Sequence, residues 1–200
     1  LDRRSESEAI YLQWLELATN RHGPNSTALL APLQALSNIF QQQGENLSAQ
    51  GLREQAWQIL SQSPQVSEAE FLLPLEDLAR GAIEQAAWDK AEAWLRRAYA
   101  IAEKQDGLAA ARLAYALGEV FRSTGRLAEA ETAIRRSLEF RQTSLGAEHI
   151  ETLKSLQALA EVYSAQNRYE AAQSMLSRCL EAGKNTLGEH HPDLAGFHRA

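Results

Sequence analysis

Between residues 108 and 142 the apolar positions recur at spacings of three and four. Leu113, Leu117, Val120 and Phe121 form one run; Leu127, Ala130, Ile134 and Leu138 form the next. That period belongs to an α-helix with one buried face. Gly125 separates the runs, and a residue tolerant of positive φ is the usual way to end a helix tightly. The pattern predicts two helices joined by a short turn, with Gly118 allowing close approach to a neighbouring helix. Arg112, Tyr115, Glu119 and Arg122 fall together on the stripe opposite Leu117, Gly118 and Phe121. No segment alternates with the period of two expected of a strand.

The same pattern returns. Leu117–Ala130 is repeated as Leu159–Ala172, an offset of 42 residues, which also relates Leu138 to Leu180, Leu145-Gly146 to Leu187-Gly188, and His149 to His191. A period of this length marks a solenoid whose units pack only on their neighbours. Asn167 replaces Gly125, and Asn is the next most tolerant residue of left-handed geometry. Earlier copies are weaker. Leu33–Phe40 matches Leu156–Tyr163, with Gly44 at the turn. Gly51–Ala56 resembles Gly125–Ala130, which implies an insertion around 44–51. A further unit places Leu75, Leu78 and Ala79 before the turn and Trp88, Ala91, Leu95 and Ala98 after it, with Ala86 where glycine is expected. The expected organisation is one solenoid over 1–200: a half repeat at 5–20, helix pairs at 24–62, 68–104, 108–142 and 149–183, and the start of a truncated repeat at 191–200. The chain reads as a fragment of a longer protein.

Composition agrees with helix. Ala, Leu, Glu, Gln and Arg are abundant, while Ile, Val and Thr are scarce. The net charge of −6 argues against a general nucleic-acid binder, which needs a basic footprint. Only residues 90–141 carry a basic excess, 10 Lys and Arg against 7 Asp and Glu. Cys179 is the single cysteine, so there is no internal disulfide framework, and it stands where Ser137 stands one repeat earlier. A small buried packing residue is the expectation there. No apolar run is long enough to insert in a membrane. No secretory signal is visible, which favours a cytoplasmic setting.

Candidate chemistry is sparse. Metal sites want i, i+4 histidines or tightly spaced Cys/His pairs. His190 and His191 are adjacent and point apart, and His149 and His191 recur in linkers, where a helix-entry role accounts for them. There is no nucleophile elbow, no phosphate loop and no convergent carboxylate pair, so no catalytic residue, metal site or cofactor is assigned. Trp14, Trp57, Trp88 and Trp94 are read as helix-pair core.

The small residues Gly118, Ala130 and Ser137 with Phe121, and Ala160, Ala172 and Cys179 with Tyr163, resemble the helix-pair pattern of the tetratricopeptide repeat family. The 42-residue period and the linkers Leu145-Gly-Ala-Glu-His-Ile and Leu187-Gly-Glu-His-His-Pro-Asp are most similar to the extended repeats of kinesin light chains and their bacterial relatives. The resemblance implies an all-α, right-handed superhelix of antiparallel helix pairs whose first helices line a concave groove. Groove candidates are then Arg112, Tyr115, Glu119 and Arg122, with Lys154, Gln157 and Glu161 next door, and upstream Arg80 and Asn38. The implied function is a non-catalytic scaffold binding a protein or peptide partner, with no nucleic acid and no membrane insertion. The alternatives are a regulatory or sensor module of a larger protein whose effector lies elsewhere, or a self-association module that forms homo-oligomers.

Overall fold

The computed structural model describes residues 3–187, with side chains from 6 to 184. Within them the secondary structure is helical and no strand occurs. The helices are α1 (Arg3–His22), α2 (Leu30–Gln42), α3 (Asn46–Ser61), α4 (Leu72–Glu84), α5 (Trp88–Gln105), α6 (Gly107–Ser123), α7 (Leu127–Leu145), α8 (Ile150–Ala165) and α9 (Tyr169–Leu187). Short 3₁₀ turns at Thr27–Leu29 and Glu68–Phe71 lead into α2 and α4. The segment 191–200, expected to begin another repeat, lies outside the described residues, as do His190, His191 and His198.

Two compact units divide at Ala98–Tyr99, within α5. In the first, α2 packs on α1 and α3, and α3 on α4. Its core includes Leu29, Leu33, Leu36, Leu75, Leu78 and Ala82. In the second, α6 pairs with α7, α7 with α8, and α8 with α9. That core is built from Leu113, Leu117, Val120, Phe121, Ile134, Leu153, Leu159 and Val162.

One turn is used four times. Gly44, Ala86, Gly125 and Asn167 all have positive φ, at 81°, 53°, 75° and 61°. At each, the residue that follows donates its N–H to a carbonyl five back: Glu45 to Phe40, Ala87 to Ala82, Arg126 to Phe121 and Arg168 to Tyr163, all at 2.8 Å. This is the Schellman closure, which satisfies carbonyls that the helix end leaves without partners. Five residues past each turn residue comes a buried alanine: Ala49, Ala91, Ala130 and Ala172.

That register corrects the expected insertion around 44–51. The helix after Gly44 begins at Asn46, and Ala49 occupies the place of Ala130. Gly51–Ala56 resembled the turn only in composition; Gly51 lies inside α3. Gly118 is where two helices come closest, since a Cβ there would lie 2.3 Å from Ile134 Cγ1. Cys179 is fully buried, donates to the Leu153 carbonyl at 3.4 Å, and burial pushes its thiol up to about 11. His149 caps α8, its Nδ1 accepting from Glu151 N. Trp57 and Trp94 meet edge to face at 5.8 Å. Trp14 departs from the expectation of a buried set: it is 44% exposed on α1, beside Ile10 at 62% and Leu17 at 68%.

Candidate functional site

The polar stripe of α6 follows from its register. Ala111, Leu113, Ala114, Leu117, Gly118 and Phe121 are buried, which turns Arg112 outward and leaves Tyr115, Glu119 and Arg122 half-buried. Asp106 sets that register by capping the helix, its carboxylate accepting from Leu108 N at 2.9 Å and Ala109 N at 3.1 Å. On α8 the same logic leaves Lys154 exposed and Gln157 and Glu161 half-buried.

The structure brings most of these residues into one cluster. Arg122 Nη2 donates to Glu119 at 2.6 Å, and its other terminal nitrogen lies 3.7 Å from Glu161 on α8. Gln157 donates to Glu161 at 3.1 Å. Lys154 stands apart, paired with Glu151 at 2.7 Å. The bond to Glu119 raises the pKa of Arg122. Burial, followed by the charges of Glu119 and Glu161, pushes the Tyr115 phenol up to about 12. Tyr115 therefore stays neutral and can donate near neutral pH.

Beneath the stripe sits a residue the sequence pattern did not single out. Arg141 of α7 is 5% exposed. Its guanidinium donates to the Glu151 carbonyl at 2.8 Å and Ser155 Oγ at 2.9 Å, and pairs with the Glu151 carboxylate at 3.1 Å. It also stacks 5.0 Å from the centroid of Tyr115, fixing that ring from below. A charged residue within the buried face of α7 was the signal for it.

The upstream candidates belong to the other unit. Arg80 on α4 pairs with Asp77 at 2.6 Å and donates to Gln41 at 3.0 Å. Gln34 and Gln41 of α2 reach Asp77 and Glu84 of α4 at 2.9 and 2.8 Å. Asn38 is exposed between the two glutamines. Asp77 and Glu84 were absent from the sequence-based set. They join the surface because a spacing of 43 residues places equivalent turns of successive first helices side by side.

Both surfaces are built from paired charges and amides. The carboxylates are spread along helices and tied to arginine, glutamine or lysine. No group of three His, Cys, Asp or Glu side chains among the described residues is placed to hold a metal ion. No described helix is long and apolar enough to cross a membrane.

This is the geometry of helix-pair repeat proteins, and comparison with known proteins finds the same likeness. Residues 109–185 match the family model described as tetratricopeptide repeat. The match covers the helix pairs α6–α7 and α8–α9, and solved structures extend the likeness of fold to the rest of the chain. A putative kinesin light chain from Podosopora anserina with nearly identical TPR-like repeats superposes with a TM-score of 0.79 at 20% identity, covering 94% of this chain and 90% of that one. BtubC (BKLC) from P. vanneervenii gives 0.74 at 20% identity, covering 97% and 80%. YrrB, described as a TPR protein with an unusual peptide-binding site, gives 0.65 at 14% identity, covering 93% and 81%. No curated protein sequence matches the chain.

Proposed function

We propose that the chain is a protein-binding scaffold that takes an extended peptide along the polar stripe of α6 and α8. The observation that carries this reading is the continuity of that stripe. Arg122 spans from Glu119 to Glu161, joining two first helices into one surface with Tyr115 held in its middle. Arginine and tyrosine are the contact types enriched at binding hot spots. The charges are already paired, so a peptide exchanges ion pairs rather than creating them, and specificity follows from matching an alternating pattern of charge. The likeness of fold to YrrB supports the reading without supplying the partner.

The test begins with a pull-down on the intact protein and mass spectrometry to find the partner. Arg112 and Arg122 are then replaced together by alanine. With helicity and melting unchanged, partner affinity is expected to fall by about fivefold or more, equivalent to roughly 1 kcal/mol. Unchanged affinity, with a loss on substituting Arg135 and Arg136 of α7 instead, assigns binding to the second helices.

A second reading, self-association, is favoured by one observation. Ile10, Trp14 and Leu17 form an exposed apolar stripe on α1 at spacings of four and three. Light scattering across protein concentration separates the two readings. A mass that rises with concentration and is restored to monomer by Leu17→Glu supports association; a constant monomer mass excludes it.

A further inference from the structure

Nine residues after each turn residue stand Arg53, Leu95, Ile134 and Leu176. Leu95 and Ile134 are buried core. Arg53 takes the same place in α3 and is only 6% exposed. A second exception faces it. Five residues before each turn residue stand Ile39, Gly81, Val120 and Val162, so α4 carries no side chain where its equivalents carry a branched one. The vacated space holds polar atoms: a Cβ on Gly81 would lie 2.1 Å from Gln50 Oε1 and 2.8 Å from an Arg53 terminal nitrogen. The first unit has exchanged an aliphatic contact for a guanidinium.

That guanidinium is poorly matched. Arg53 donates to the neutral amide oxygen of Gln41 at 2.5 Å, an oxygen that Arg80 also uses. Its buried Nε–H has no acceptor among the described residues. Asp77 and Glu84 act on it only at a distance. Arg141, the other buried arginine among the described residues, shows what a completed site looks like, with a carboxylate, a carbonyl, a hydroxyl and an aromatic face. A buried, incompletely paired arginine weakens the resting fold.

Arg53 lines a cavity of about 210 Å³. Leu30, Ala56, Leu60 and Pro74 form its apolar walls, and Gln34, Glu70 and Asp77 are its other lining residues. Asp77 is held by Arg80 and Gln34, and Glu70 by Ser67. We propose that this cavity binds a monocarboxylate with a short apolar body, the carboxylate pairing with Arg53 and the body lying against Leu30, Ala56, Leu60 and Pro74. Glu70 and Asp77 select against a compact polyanion such as phosphate. The site lies in the first unit and does not depend on the stripe of α6 and α8. The carboxylate has two possible sources, a free small acid or the C-terminus of a partner chain that ends in an aliphatic residue.

The experiment follows the Arg53 Nε–H resonance of the whole 200-residue chain by ¹H–¹⁵N NMR during titration. The probes are 4-methylpentanoate, its neutral isostere 4-methylpentanamide, inorganic phosphate, and acetyl-Gly-Gly-Leu with a free or an amidated C-terminus. A saturable shift is expected with a carboxylate probe, at least about tenfold weaker with its amide, and absent with phosphate. Peptide binding tighter than that of the free acid identifies a partner's C-terminus as the source; the reverse identifies a small acid. Arg53→Met is expected to abolish binding while melting at or above the wild-type temperature. Should that variant not fold, the wild-type comparison of carboxylate and amide decides alone. No shift by about 10 mM of either carboxylate probe, or equal shifts from acid and amide, overturns the proposal.

Discussion

Gly118 and Ala86 show how far one residue's geometry reaches. At Gly118 the nearest obstacle is Ile134, a fully buried side chain with no free direction in which to move. Gly118→Leu is expected to destabilise the second unit by about 1–3 kcal/mol or more, measured by thermal or urea melting, because packed interiors do not yield to extra volume. Wild-type stability in that variant would mean that α6 and α7 are not in this register. Ala86 is the opposite case. It is exposed, makes the turn hydrogen bond expected of glycine, and holds φ at 53°. A left-handed alanine costs roughly 1–2 kcal/mol, of which glycine's extra chain entropy returns part. Ala86→Gly is therefore expected to raise the melting temperature by a few degrees. A lower melting temperature would show that the turn tolerates alanine without strain. The strain at position 86 was legible from the alignment of turns. The role of Gly81 was not, because it depends on the facing Gln50 and Arg53 of another helix.

Among the elements, the join between α7 and α8 carries the most electrostatics. Arg141 reaches across it to the carbonyl and carboxylate of Glu151. The Glu151 carboxyl is held below the usual range, first by the hydrogen bond from Lys154 and then, against the opposing cost of burial, by the charge of Arg141. A depressed folded pKa contributes stability that is complete above the unfolded carboxylate value near ~4.3, and that stability is lost as pH falls through the folded value. Glu151→Gln is expected to lower stability at neutral pH and to flatten the fall on the acid side, in melts recorded across pH. An unchanged acid limb would assign the pH dependence to other carboxylates. The outward stripe of α6 was readable because helical period separates faces. Arg141 left a signal, a charge within the buried face of α7, but its partners Glu151, Ser155 and Tyr115 lie on other helices that the α7 sequence does not display.

At the scale of the molecule, repetition governs how damage spreads. A solenoid unit draws its stability from its own helices and its nearest neighbours. Amide hydrogen exchange on the Gly118→Leu variant is therefore expected to lose protection first in α6 and α7, decaying along the chain towards α2 and α3. Uniform loss across all helices would instead mark the chain as one cooperative body. The 42-residue offset between α6–α7 and α8–α9 announced this architecture, while the copy at α2–α3 was misread by the apparent insertion. Gly51-Leu-Arg-Glu-Gln-Ala imitates the composition of a turn and helix start. Only the backbone at Gly44 shows that Asn46 already opens the helix.

The sequence by itself determined the helical period, the positions of the four tight turns and the apolar faces of α6, α7 and α8. These are local properties, set by side-chain spacing and by the few residues that accept positive φ. Tertiary structure decided the rest: that Arg122 spans to Glu161, that Arg141 stiffens Tyr115 from below, and that Arg53 lies buried beside a cavity. The physical reason is common to all three. Each depends on atoms brought together from different helices, at distances that periodicity along one helix does not specify.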